Sequence, residues 1–116
     1  MAEETSDLTV VRQNDVSVVT ICCENLLGIP EVNSLGAQLH DLLERGERKL
    51  VVNLENVHYA GSAALGMLLS IDQELKAAGG KLVLAHADKI EGLLKVSRTR
   101  GVFSIAKDVD GAVGMM

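Results

Sequence analysis

Two short runs, Leu50-Val51-Val52-Asn53-Leu54 and Leu82-Val83-Leu84, constrain the fold of this chain more than any other feature. Neither alternates strictly between apolar and polar residues, so each reads as a strand buried on both faces. Helical patterns bracket them. Pro30 opens a helix in which Val32, Leu35, Leu39, Leu42 and Leu43 share one face, and Gly46 stops it. Between the two strands, Ser62 to Ala78 forms a second helix, with Ala64, Leu68, Ile71 and Leu75 on its inner stripe and Gly79-Gly80 at its end. Strands that alternate with helices in this way become parallel neighbours through right-handed crossovers.

The chain starts differently. Leu8 to Gln13 and Val16 to Cys23 are β-branched runs separated by Asn14-Asp15, the signature of an antiparallel hairpin. Beyond Leu84, Asp88 is expected to cap a third helix with Ile90, Leu93 and Leu94 on its apolar face. Val102-Phe103-Ser104-Ile105 reads as a last strand, and Asp108 as the cap of a terminal helix through Val113. Gly114-Met115-Met116 reads as a loose end. The expectation is an α/β protein with a four- to five-stranded mixed sheet, an N-terminal antiparallel hairpin and helices mainly on one side. With 116 residues it makes one domain, residues 8–113, behind a polar, disordered tail at residues 1–7.

Composition removes several function classes. Tyr59 and Phe103 are the only aromatic residues and the net charge is −5, which argues against a nucleic-acid partner. Lys95, Arg98 and Arg100 form a basic cluster too small to change that, and it reads as a solvated helix end. No run approaches the roughly 18 apolar residues of a membrane span, and the acidic start is no export signal, so a cytoplasmic location is expected. Cys22 and Cys23 are adjacent and read as buried small residues rather than as a disulfide. His40, His58 and His86 are scattered, and no metal site is expected. Ser62 has no Gly-x-Ser-x-Gly frame and no base in a recognisable pattern, and a phosphate-binding Gly-x-x-x-x-Gly-Lys loop is missing, so neither catalysis nor a cofactor is expected.

Ser62 is the residue that carries information about function. It stands at a strand-to-helix junction, where free backbone N–H groups and the helix dipole gather. A hydroxyl there can cap the helix or accept a phosphoryl group. The following stretch, Ala63 to Ile71, is apolar or small around its whole circumference. It is either a central covered helix or a contact surface, with Met67 suited to an adaptable one. Asn53 is expected to pin the next loop through its side chain. Tyr59 is either a lid over Ser62 or a packing residue under the loop.

Leu50 to Tyr59 followed by Gly61-Ser62-Ala63-Ala64-Leu65-Gly66-Met67-Leu68-Leu69 resembles the STAS domain of bacterial anti-sigma factor antagonists. Gly79-Gly80 with Leu82-Val83-Leu84, and Ile90 to Val96 with Val102-Phe103, extend that resemblance over nearly the whole chain. It implies that Ser62 is the serine phosphorylated by an anti-sigma factor kinase, and that Tyr59, Gly61, Ser62, Ala63, Met67, Asn25 and Ser34 line the partner surface. Capping is a simpler account of Ser34. The family's aspartate before the serine is Gly61 here, its second hydroxyl residue is Ala63 and its glycine is Ala64. Its Gly-Glu-Leu-Asp motif has become Glu24-Asn25-Leu26-Leu27.

Two readings follow. In the first, the chain is an antagonist-like module that binds an anti-sigma factor serine kinase, and a phosphate on Ser62 weakens binding to an apolar or acidic partner face. In the second, it is a phosphorylation-independent STAS scaffold subunit in a larger signalling or transport complex, contacting another STAS-binding protein through Ala63 to Met67. A weak homo-oligomer stays open in both.

Overall fold

The computed structural model describes residues 2–4, 8–99 and 101–116, with the side chains of residues 2–4 left aside. The expected hairpin forms. Leu8–Gln13 (β2) and Val16–Ile21 (β3) pair antiparallel, with Gln13 opposite Val16 and Asn14 in the left-handed region at φ 60°, which asparagine tolerates. Ala2–Glu4 (β1) pairs antiparallel with the outer side of β2. Residues 2–4 of the segment expected as a tail at residues 1–7 are thus paired into the sheet. Strand pairing uses backbone groups, so the acidic side chains that suggested a tail do not prevent it. Met1 and residues 5–7 lie outside the described residues, as does Arg100 of the basic cluster.

The connection after β3 contains a two-residue strand, Asn25–Leu26 (β4), and leads into α1, Ile29–Glu44. Pro30 lies in the first turn of α1, and Val32, Leu35, Leu39, Leu42 and Leu43 are buried, as their spacing predicts. Gly46 follows at φ 97° and lets the chain reverse into β5, Lys49–Asn53. A second two-residue strand, Tyr59–Ala60 (β6), precedes α2, Ser62–Ala77. Then come β7, Lys81–Ala85, a 3-10 turn at Asp88–Ile90, α3 at Glu91–Val96, β8 at Ser104–Ala106 and α4 at Val109–Gly114.

Among the described residues the main sheet has six strands in the order β1-β2-β3-β5-β7-β8. β3, β5, β7 and β8 are parallel neighbours, and only the β1–β2–β3 edge is antiparallel. One face of the sheet, carrying Leu8, Val19, Ile21, Leu50, Val52, Leu82 and Leu84, packs in a single core with α1, α2 and α3. The other carries Val16, Val18, Val51, Val83 and Ala85 and is covered by α4 through Ala112. Helices therefore lie mainly on one side, as expected.

Asp108 caps α4, its Oδ1 accepting from the Gly111 N–H at 2.7 Å. Asp88 does not cap α3: it lies inside the 3-10 turn, whose cap is Ala87. The last strand begins two residues later than Val102, because Val102 and Phe103 belong to the turn that leads into it. Cys22 is exposed, contrary to the buried reading, because the chain leaves the sheet after Ile21; Cys23 is half-buried, and neither is in a disulfide among the described residues. The C-terminal residues are not loose: the Met115 carbonyl accepts from Lys81 Nζ at 3.1 Å, and Met116 packs on the second core.

Candidate functional site

Ser62 opens α2 on a platform built almost entirely by backbone hydrogen bonds. Asn53, buried at the end of β5, fixes the turn that follows. Its Oδ1 accepts from the Glu55 N–H at 3.2 Å, and its Nδ2 lies 3.3 Å from both Thr20 Oγ1 and Glu55 Oε1. The pinning role expected of Asn53 is what the structure shows. Leu54 N–H donates to Ala85 O at 2.9 Å, and the Val57 side chain is fully buried beneath the turn.

The next residues are tied to the connection after β3. His58 N–H and Tyr59 N–H both donate to Glu24 O, at 2.8 and 3.1 Å. β6 pairs parallel with β4, setting Asn25 beside Tyr59 and Leu26 beside Ala60. Gly61 N–H donates to Leu26 O at 3.1 Å. The residues of 24–28 and 58–61 thus form one surface at the end of the sheet where the parallel strands finish.

Gly61, in extended conformation with φ −111° and ψ −174°, is the N-cap of α2, and its carbonyl accepts the first helical hydrogen bond, from Leu65 N–H at 3.2 Å. Ser62 is therefore the first helical residue, not the cap. Its side chain is exposed and makes no hydrogen bond to any described residue. A cap must precede the helix so that its oxygen can reach back to the orphan N–H groups. Ser62 stands one position too late. The first turn of α2 also carries no acidic residue to balance the positive end of its dipole.

The surroundings of Ser62 are apolar and open. Leu27, Ile29 and Tyr59 are exposed at 59%, 58% and 64%, high values for large apolar side chains. Leu27 Cδ2 approaches within 3.6 Å of where a Cβ on Gly61 would stand, so its side chain borders the start of α2. Tyr59 is neither buried under the loop nor folded away from water. Ala63 and Met67 are half-buried, and Met67 lies against α1: a Cβ on Gly36 would sit 3.2 Å from Met67 Cγ. Leu65, by contrast, is buried in the core. The all-round apolar start of α2 thus divides into a core side and a contact side.

Of the residues expected at the partner surface, Asn25, Tyr59, Gly61, Ser62, Ala63 and Met67 come together. Ser34 does not join them, and it is not a cap. It sits inside α1, where its Oγ accepts from Gln38 Nε2 at 3.2 Å. Leu27 and Ile29 belong to the surface and escaped sequence reasoning. The available signal was the excess of apolar residues in Leu26-Leu27-Gly28-Ile29, where only Leu26 reaches the core. No hydrogen bond joins His58 to Ser62, and no three His, Cys, Asp or Glu side chains among the described residues are grouped to hold a metal ion. No helix among the described residues is long and apolar enough to cross a membrane.

The STAS domain family model matches residues 7–112, and the chain belongs to that family. The chain is similar to BtrV of Bordetella bronchiseptica, a protein provisionally named as an anti-sigma factor antagonist. The two are 25% identical over 92 residues, covering 78% of this chain and 79% of that one. The fold is also that of a STAS anti-sigma-factor antagonist domain protein from Planctomyces limnophilus, with a TM-score of 0.82 at 17% identity over 97% of this chain and 100% of that one. It is shared by the Bacillus cell fate determinant SpoIIAA, solved in its phosphorylated form, with a TM-score of 0.70 at 15% identity over 94% and 99% of the two chains.

Proposed function

We propose that this protein is an anti-sigma factor antagonist whose binding to an anti-sigma factor serine kinase is controlled by phosphorylation of Ser62. One observation carries the reading. The Ser62 hydroxyl is exposed and unbonded at a helix start, inside a patch of exposed apolar side chains. A serine kept for capping would be engaged. A kinase can reach this one.

The chemistry of the switch follows from that placement. A phosphate on Ser62 adds about −1.5 to −2 charges at neutral pH. The start of α2 accommodates such charge, because its N–H groups and dipole favour an anion. A partner seated on Leu27, Ile29, Tyr59 and Ala63 must strip water from the phosphate to make the same contact, so binding falls. The phosphorylated SpoIIAA structure is a precedent for phosphate on this fold. On this reading the protein is a cytoplasmic binding module without a reaction or cofactor of its own.

The sequence Gly61-Ser62-Ala63-Ala64 favours a second reading, a STAS scaffold subunit that works without phosphate. Here Ala63 and Ala64 stand where the family carries a hydroxyl residue and a glycine. The two are separated by the intact mass of the protein taken from its own cells, with peptide mapping across Tyr59 to Leu75. One phosphate on Ser62 establishes the switch. Its absence under all growth conditions refutes it and leaves the scaffold.

A further inference from the structure

A cleft of about 340 Å³ runs between α1 and α2, beginning beside Ser62. Val32, Gly36, Ala63 and Met67 form its apolar floor, and Asn33 and Ser70 stand on its two rims. The helices run in the same direction with their starts side by side. Gly36 meets Met67, and one turn on from Gly36 the His40 Nδ1 lies 2.9 Å from Glu74 Oε2, closing the far end.

Building on the reading of Ser62 as a partner-contact switch, we propose that the partner also occupies this cleft, with an apolar side chain flanked by lysine or arginine. Ala63 belongs both to the cleft and to the patch around Ser62. A specific interface covers about 800 Å² on each partner. A surface of that size centred on Ser62 overlaps the cleft mouth.

The floor of the cleft is shaped for an insertion. Gly36 supplies no side chain, and the Met67 side chain occupies the space beside it. Methionine is unbranched and changes rotamer readily, so the floor can deepen around an incoming side chain. The charges of the two helices select the flanks of the incoming segment. α1 carries Glu31 and Glu44 and no lysine or arginine, its third acidic residue, Asp41, being paired at 2.7 Å with Arg45 on the flank that faces Leu8 and Val10. α2 carries Glu74, which meets His40 at the far end of the cleft, and its single basic residue, Lys76, is paired at 2.9 Å with the buried Asp72. A partner segment that lies along these helices meets acidic flanks and an apolar centre. Lysine or arginine around one apolar anchor is the complement.

The test uses each anti-sigma-type serine kinase encoded in the source genome, purified and titrated against the full chain. Asn33→Trp and Ser70→Trp fill the cleft from opposite rims, at positions exposed in the free protein, and leave Ser62 untouched. Both are expected to weaken kinase binding at least tenfold while circular dichroism and the melting temperature stay at wild-type values. Glu74→Lys is expected to weaken binding several-fold and to reduce its dependence on salt. Wild-type affinity in both tryptophan variants, with affinity lost in Ser62→Asp, overturns the cleft and leaves the Ser62 reading standing. Unchanged or tighter binding by Glu74→Lys overturns the basic flank. A wild-type chain that neither binds nor is phosphorylated by any such kinase overturns both.

Discussion

Ser62→Ala is expected to leave stability unchanged, and this separates the two roles open to a serine at a helix start. A capping serine replaced by alanine costs about 1 kcal/mol. For a chain of this size that lowers the melting temperature by about 4 °C. In the structure the cap is Gly61, and the Ser62 hydroxyl bonds to no described residue, so truncation removes no internal interaction. The expected change is within about 0.5 kcal/mol, the range of exposed substitutions without a structural role. Ser62→Asp goes further. It places a carboxylate in a first turn that has none, which is worth about 0.3–1 kcal/mol of stabilisation at low ionic strength. Asp108→Ala is the internal standard, because Asp108 does cap a helix with a 2.7 Å bond. Urea unfolding of the four proteins in one buffer makes the comparison. Stability should rank Ser62→Asp at or above wild type, Ser62→Ala equal to it and Asp108→Ala about 1 kcal/mol below. A loss of 1 kcal/mol or more in Ser62→Ala would refute the assignment of Gly61 as the cap and restore a purely structural role for Ser62.

Three further outcomes follow from particular contacts. Gly80→Ala places a Cβ against the backbone carbonyl of Arg48, which cannot move without breaking its bond to Lys81 N–H, so a loss of about 1–3 kcal/mol is expected in thermal unfolding. Asn53→Ala removes the hydrogen bonds that pin the turn before Ser62 and leaves the Glu55 N–H without its acceptor; about 1–2 kcal/mol should be lost in urea, with faster amide exchange across residues 54–58. Asp15 is held below its ordinary carboxylate value of 3.8 by its hydrogen bond to Lys49. A depressed folded-state pKa gives stability that is present above 3.8 and lost as pH falls through the lower folded value. Asp15→Asn should therefore match wild type more closely below pH 3 than at pH 6 in unfolding curves, and an equal gap at both would remove the pair as a contributor.

The elements that the sequence displays plainly are those whose local pattern and burial agree. β5 and β7 are apolar on both faces because α1, α2 and α3 cover one side and α4 the other. The bounds of α1 and α2 follow from Pro30, from Gly46 at φ 97° and from Gly79 at φ 82°. What stayed hidden is made by backbone pairing across long separations. The β4–β6 ladder joins Asn25 to Tyr59 through main-chain groups, so no side-chain pattern announces it. β1 is hidden for the same reason. The placement of Ser62 one residue beyond the cap, and the grouping of Leu27 and Ile29 with it, depend on that ladder and could not be read from spacing.

Under the function proposed above, the same backbone construction would let Ser62 switch binding without a change of fold. The hydrogen bonds that shape the junction, from Glu24 O, Leu26 O and Ala85 O to the Gly61 carbonyl, are made by main-chain atoms, by Asn53 and by Lys89, whose Nζ donates to Glu55 O at 3.0 Å. The Ser62 oxygen takes part in none of them. Esterifying it with phosphate breaks no internal bond, and the helix start favours the added charge. The free energy of modification therefore falls on whatever covers Leu27, Ile29, Tyr59 and Ala63. A serine built into the capping network could not serve in this way, since phosphorylating it would disturb the end of the helix that presents it. Separating the residue that ends the turn from the residue that carries the hydroxyl lets one position hold the structure while the next is free to change.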